Sequence, residues 1–270
     1  MEAPSGQILT TESIEEAISF RQVVSRMHNE MLSKDDWFFT CWQPPTVQVG
    51  AATVPFHEVD PVLLKTEPNC WVLHPNAVWH GFGDIEEGYC MLDPIKVSVL
   101  SPGMGDDGKL LDSGIPACVL TAYLGRQGIV VEKTTDFTIL FLFSIGITKG
   151  KWGTLLNALL DFKRDYDDNV ELELCLPDLL AANQTRYAGM GIKDLADEIF
   201  AAMKKHKTTA NMAQAFGTLP QAEFSPVEAY EKLVRNEIER VTLEEAAGRI
   251  AATGIVPYPP GIPLLMPGEN

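Results

Sequence analysis

Ile129-Val-Val-Glu-Lys-Thr-Thr-Asp-Phe-Thr-Ile-Leu-Phe-Leu-Phe-Ser144 contains two β-rich runs with a turn between them. Residues 129–134 follow a resetting Gly128, Thr135 and Asp136 make the turn, and residues 137–144 read as a strongly apolar strand. Upstream, residues 95–100 are a third β-rich run and residues 102–108 a glycine loop. Residues 115–126 read as a helix opened by Ser113 and Pro116. Downstream, residues 146–150 lead into a helix carrying Trp152, Leu155, Leu156, Leu159, Leu160 and Phe162 and ending near Tyr166. The order strand, helix, strand, strand, helix predicts an α/β (α+β) class, a small antiparallel-rich sheet with helices on one face.

Ahead of this core the chain starts with an amphipathic helix running to about Ser33. Thr11 or Ser13 is its candidate cap, acids stand at Glu12, Glu15 and Glu16, and Ile14, Ala17, Ile18, Val24, Met27 and Met31 form its apolar face. Such a face needs a cover, either a partner domain or the chain's own later part. Residues 35–92 lose all sustained period and gather Trp37, Trp42, Trp71, Trp79 and several prolines, which reads as an aromatic-pinned connector with at most short strands. Beyond Asn169 the chain reads as mostly helical, over 178–182, 192–205 and 226–239, the last capped by Ser225 ahead of Pro226. Residues 255–267 are apolar and proline-dense, and are expected to lie buried in a groove or an interface. The expected organisation is therefore 1–34, 35–92, 93–169 and 170–270, the last a mostly helical C-terminal domain.

Composition narrows the function. Lys plus Arg number 21 against 37 Asp plus Glu, a net charge of −16, which repels nucleic-acid backbones and anionic lipid. The apolar stretch 138–147 is far short of the roughly 20 residues of a spanning helix, and no signal-peptide core is present, so the sequence reads as cytoplasmic. Cys41, Cys70, Cys90, Cys118 and Cys175 show no paired spacing and read as reduced core thiols. The five histidines are equally scattered, and no metal site is expected.

Gly103-Met-Gly105-Asp-Asp-Gly108 has the spacing of a dinucleotide-binding turn, but Asp106 and Asp107 place charge where a pyrophosphate would sit, and the next helix starts too late. It reads as a plain turn. Lys204-Lys-His-Lys207 reads as solvated cations at a helix end, because a catalytic lysine has to be desolvated. Glu132 and Asp136 differ from these. A carboxylate pair at a sheet edge can hold a cation, the alternative being an ion pair of Glu132 with Lys133 or Arg126.

At Trp79-His-Gly-Phe82, Leu92-Asp-Pro-Ile-Lys-Val97, Pro102-Gly-Met104, Gly114-Ile-Pro-Ala117, Gly128-Ile-Val-Val-Glu-Lys-Thr134, Phe141-Leu-Phe-Ser-Ile-Gly146, Asp161-Phe-Lys-Arg164 and Tyr258-Pro-Pro-Gly-Ile-Pro263, the chain closely resembles the bacterial ornithine/lysine/arginine decarboxylases. The resemblance runs in order over essentially the whole chain and matches the later part of such an enzyme. It implies the closing helix of a pyridoxal-phosphate domain, a connector, the small α/β domain of an aspartate-aminotransferase-like fold, and most of a C-terminal domain.

It further implies that the coenzyme lysine lies upstream in a Ser-x-His-Lys context. None of the 13 lysines stands in that context, and Lys207 has Lys204 where the serine belongs. The chain is then expected to be a fragment or one piece of a split gene, with no catalytic residue of its own and its pyridoxal phosphate bound mainly upstream. Glu132, with Asp136 and Thr134 beside it, is the expected receiver of the substrate's distal cation. Val-Glu-Lys-Thr resembles the lysine and ornithine enzymes, whereas Thr134-Thr-Asp-Phe137 and Gly150-Lys-Trp-Gly-Thr154 resemble the arginine branch; lysine is favoured because the glutamate touches specificity directly. Partners are a basic amino acid and further copies of the enzyme, dimers building larger rings. The competing expectation is a non-catalytic binding or regulatory module derived from such an enzyme.

Overall fold

In the computed structural model, which describes residues 4–258 and 261–270, the opening amphipathic run forms α1 (Pro4–Leu32). It starts ahead of the expected caps. Thr11 and Ser13 lie inside the helix, and their hydroxyls donate back to the carbonyls of Gln7 and Leu9 at 2.8 and 3.1 Å. The proline-rich connector then gives β1 (Thr40–Cys41), a hairpin of β2 (Thr46–Val49) and β3 (Ala52–Pro55), and α2 (Pro61–Thr66), which Asp60 caps through the Val62 N–H. After it come β4 (Lys96–Leu100), α3 (Ala117–Arg126), β5 (Lys133–Thr134), β6 (Thr138–Leu142) and α4 (Lys149–Asp167). No side chain caps α3: Pro116 stands at its cap position and Ser113 lies before it.

The main sheet has the order β1-β4-β6-β5 and is antiparallel throughout, with Val97 opposite Phe141, Val99 opposite Ile139 and Thr134 opposite Ile139 on the other side. Alternation puts Val97, Val99, Ile139 and Phe141 on a buried face, where Leu120 and Leu124 of α3 and Leu155, Leu159 and Phe162 of α4 share one core with them. Phe20 and Val24 of α1 belong to the same core, so the apolar face of the first helix is covered by this chain itself. A second cluster under the connector gathers Ile18, Val47, Phe56, Leu64 and Trp71. Each such side chain contributes on the order of 1.5–3 kcal/mol of burial.

Two buried cations tie these layers together. Arg21, fully buried on α1, donates to the carbonyls of Pro94, Trp42 and Lys96 and to the Gln43 side chain, with the Trp71 ring 5.6 Å away. Burial brings its guanidinium down to about 10. Lys163 on α4 reaches Asp36 at 3.0 Å and also pairs with Asp167, its ammonium 4.8 Å from the Trp37 ring centre. Trp152 of α4 adds a hydrogen bond to the Glu16 carboxylate of α1.

The core does not end at Asn169. It continues through α5 (Leu172–Cys175), α6 (Pro177–Ala182) and α7 (Gln184–Tyr187) into α8 (Ile192–His206), with Leu172, Cys175, Leu176, Ile192, Leu195 and Ala196 buried in the same cluster. Asn169 closes this arrangement: its Oδ1 accepts from the N–H groups of Lys193 and Asp194 at 3.0 and 3.2 Å and caps α8. The chain separates into two compact units between Ala202 and Met203.

The second unit holds α9 (Thr208–Phe216), α10 (Pro226–Val234) and extended segments that pair Ala222 with Glu269 and Ile255 with Leu265. Ser225 and Glu228 form a capping box at the start of α10. The helix stops at Val234, earlier than the sequence pattern suggests, because Asn236 turns to φ +58°. The proline-dense end is not buried in this chain. Ile255, Val256, Tyr258, Ile262 and Met266 are exposed, Tyr258 by 76%, while Pro259 and Pro260 lie outside the described residues.

Candidate functional site

The β5–β6 connection is a tight turn closed on itself. The Thr135 N–H donates to the Thr138 carbonyl at 2.9 Å, the Thr138 N–H returns to the Thr135 hydroxyl at 3.2 Å, and the two hydroxyls bond each other. Asp136 and Phe137 form its tip, which is fixed from two directions. The Asp136 carbonyl accepts from the Ala117 N–H at 2.8 Å, at the start of α3, and the Phe137 carbonyl accepts from the Ser101 N–H at 2.9 Å, just past β4. Beneath the tip, Phe137 meets Phe200 with ring centres 6.0 Å apart, above the contact between Gly103 and Gly114.

The expected site residues divide here. Thr134 is half-buried on edge strand β5, its hydroxyl 2.8 Å from that of Thr121 on α3. Glu132 immediately precedes the strand. Its backbone N–H donates to the Leu140 carbonyl at 2.9 Å, and its side chain is exposed with no ion pair among the described residues, neither to Lys133 nor to Arg126. Asp136 is half-buried at the turn tip beside α3. One sheet corner therefore carries all three residues: a free carboxylate at Glu132, a hydroxyl engaged with α3 at Thr134, and a second acid held in the turn.

Lys163 is the buried lysine among the described residues. Burial pulls its ammonium down, but the hydrogen bonds to Asp167 and Asp36 outweigh that and hold it above the ordinary lysine range. Lys204, Lys205 and Lys207 are exposed at the end of α8. No group of three or more metal-binding side chains occurs among the described residues, and no helix there is long and apolar enough to cross a membrane.

The 103–108 glycines make a turn, as expected: the Gly108 N–H donates to Gly105, that of Gly105 to Lys109 and that of Leu111 to Gly103, and no helix opens there. The thiols are only partly as expected. Cys41 and Cys175 are buried and pushed up to about 12 and about 11 by that burial, Cys70 is buried too, but Cys118 is exposed on α3. Sequence reasoning missed Thr121, Arg21 and Lys163. Arg21 stands among apolar neighbours within a helix, a usable signal, whereas Lys163 sits in the charged stretch Asp161-Phe-Lys-Arg-Asp165 and nothing near Thr121 marks it.

A small antiparallel sheet backed by helices, with an acid-bearing edge, defines a mixed α/β protein. The family model described as Orn/Lys/Arg decarboxylase, major domain, matches residues 1–151, and the one described as Orn/Lys/Arg decarboxylase, C-terminal domain, matches residues 209–270. The chain belongs to the Orn/Lys/Arg decarboxylase family. It is 49% identical over 273 residues to the biodegradative arginine decarboxylase of Escherichia coli (strain K12), covering 100% of this chain and 36% of that protein. It is 46% identical to the lysine decarboxylase LdcA of Pseudomonas aeruginosa, covering 100% of this chain and 34% of that one. The solved lysine decarboxylase A from Pseudomonas aeruginosa superposes with a TM-score of 0.88 at 45% identity, over 100% of this chain and 34% of its own. The constitutive lysine decarboxylase of E. coli gives 0.85 at 42% identity, over 98% and 34%. The chain spans about a third of the length of these relatives.

Proposed function

We propose that this chain is the later third of a pyridoxal-phosphate-dependent decarboxylase of basic amino acids, and that its part is to read the far end of the substrate. The coenzyme and its lysine belong to the upstream part, and the assembled enzyme is a homo-oligomer of the cytoplasm. An extended basic amino acid points its side-chain cation away from the reacting carbon, so a carboxylate there binds and orients it. Glu132 is that carboxylate. The observation that carries the reading is its exposed, unpaired side chain on a corner fixed by the closed Thr135–Thr138 turn. Lysine is the substrate this favours, since one free carboxylate suits a compact ammonium. Arginine is the second reading, supported by the 49% identity to an arginine decarboxylase and by Thr134-Thr-Asp-Phe137.

The test is to assay the decarboxylase carrying this chain with lysine, arginine and ornithine, as parent and as Glu132→Gln. The reading expects a loss of about ten- to a hundredfold in kcat/KM for the preferred substrate, the worth of a charge-assisted hydrogen bond turned into an ordinary one. Unchanged kcat/KM for all three would overturn it. A different reading, a non-catalytic module, is favoured by the absence of a coenzyme-anchoring lysine, and turnover of any of the three substrates would exclude it.

A further inference from the structure

We infer that Thr121 of α3 is a positioning residue for substrate discrimination, acting through Thr134 on the strand that presents Glu132. This rests on the assignment of Glu132 as the cation receiver. Strand β5 is two residues long and pairs with β6 only at Lys133–Leu140 and Thr134–Ile139. It is the outer strand of the sheet, so no ladder supports its other side. Before it, the Glu132 N–H adds one bond to the Leu140 carbonyl of β6, while the Ile129 N–H donates to the Leu124 carbonyl of α3 and leaves the sheet.

Beside the backbone bond from Ala117 to Asp136 at the turn, the side-chain tie between this strand and α3 is the Thr121–Thr134 hydroxyl pair at 2.8 Å, half-buried and two residues from Glu132. Thr121 is buried enough to limit its rotamers, and α3 is fixed in the core by Leu120 and Leu124 on either side. Glu132 sits in the bend directly before the strand, two residues from Thr134, so a strand pinned at Thr134 limits how far the segment that carries Glu132 can swing. Without the pin the carboxylate samples a wider arc, and binding a cation must then order it again, a cost that appears in KM.

The experiment compares Thr121→Val, which keeps the shape and removes the hydroxyl, with Thr121→Ser, which restores it, in the decarboxylase carrying this chain. Substrates are lysine and norleucine, its analogue without the cation, with Glu132→Gln alongside. Thr121→Val should raise KM for lysine about three- to tenfold while kcat stays within about twofold, and should lower the lysine-to-norleucine ratio of kcat/KM by the same factor, the worth of one neutral hydrogen bond. Thr121→Ser should recover most of the ratio. If Thr121→Val does not fold, Thr121→Ala removes the same hydroxyl with less bulk and must give the same signature. A ratio unmoved by the valine variant, or equal losses on both substrates, overturns the inference while Glu132→Gln still tells lysine from norleucine less well than the parent. A Glu132→Gln enzyme with an unchanged ratio overturns the underlying assignment and the inference with it.

Discussion

Arg21 Nη2 donates to the carbonyl of Lys96 at 2.8 Å, joining the first helix to the first residue of β4. The same guanidinium reaches Pro94, Trp42 and Gln43, so one buried cation satisfies acceptors from the connector and from the entry to the sheet. These acceptors are neutral, and the charge is held by their dipoles, by the Trp71 ring and by the nearby Asp93. Helix α1 is thereby part of the sheet's support.

Arg21→Met should destabilise the first unit by about 3 kcal/mol or more, because it leaves several buried carbonyls without donors. All five tryptophans, Trp37, Trp42, Trp71, Trp79 and Trp152, lie in that unit, so their fluorescence in a urea titration follows it alone. A midpoint equal to the parent's would refute the role given to Arg21.

The Asp36–Lys163–Asp167 cluster sets a pH window. The hydrogen bond from Lys163, then that from the Trp37 N–H, holds Asp36 below the usual carboxylate range, so its stabilisation is present above about pH 4 and is lost as pH falls through its lowered value. Lys163 is held above the ordinary lysine range, so its share is complete below about pH 10 and is lost as pH rises through the raised value. Lys163→Met should cost about 1–2 kcal/mol near neutral pH and flatten both limbs. Melting temperatures from pH 3 to 11 check this; parallel curves for parent and variant would contradict it.

Gly114→Ala should cost about 2–3 kcal/mol through overpacking. The added Cβ would lie 2.5 Å from the Gly103 Cα and 2.6 Å from the Phe200 ring. Phe200→Leu in the same chain should relieve the ring contact and recover only part, since the backbone of Gly103 cannot withdraw. Full recovery in urea denaturation would show that the ring alone sets the limit.

That glycine contact explains how far the sequence could be read. Gly103, Gly105 and Gly108 were legible as a turn from their acids, but the reason for Gly103 lies 11 residues on, in the backbone of Gly114, where no local pattern points. The sheet was legible because Val97, Val99, Ile139 and Phe141 alternate. The length of its edge was not: residues 129–131 have strand composition, yet Ile129 gives its N–H to α3. Helix α9 was missed because Lys207, at φ +51°, breaks the chain just after the cationic end of α8, and the new start carries no side-chain cap although Met212 and Phe216 stand one turn apart. At the proposed site, the sequence offers Glu132 and Asp136 from charge and position, whereas Thr121 becomes visible only when α3 lies against β5.

Self-association should come from the proline-dense end, since α1 is covered by its own chain. Ile255, Val256, Tyr258, Ile262 and Met266 are exposed there, and clustered apolar surface tends to associate despite a charge of −16. Light scattering of the chain against concentration should show growth that the triple change Val256→Ser, Tyr258→Ser and Ile262→Ser reduces. A clean monomer for the parent over a hundredfold range would exclude this source.

The chain by itself should not capture pyridoxal phosphate on any one lysine. Covalent capture needs an amine that gives up its proton near neutral pH, which a desolvated lysine does and a solvated one does not. Lys163 is desolvated, but two carboxylates hold its proton, and opening the cluster to free it would leave Asp36 and Asp167 without their cation. Lys205 and Lys207 are exposed, so what labelling they show should be shared and substoichiometric. Incubating the chain with pyridoxal phosphate, reducing with borohydride and mapping the modified peptides should therefore give a low, distributed pattern with no turnover of lysine, arginine or ornithine. Stoichiometric labelling of a single lysine together with turnover would place the coenzyme site in this chain and remove the need for an upstream part.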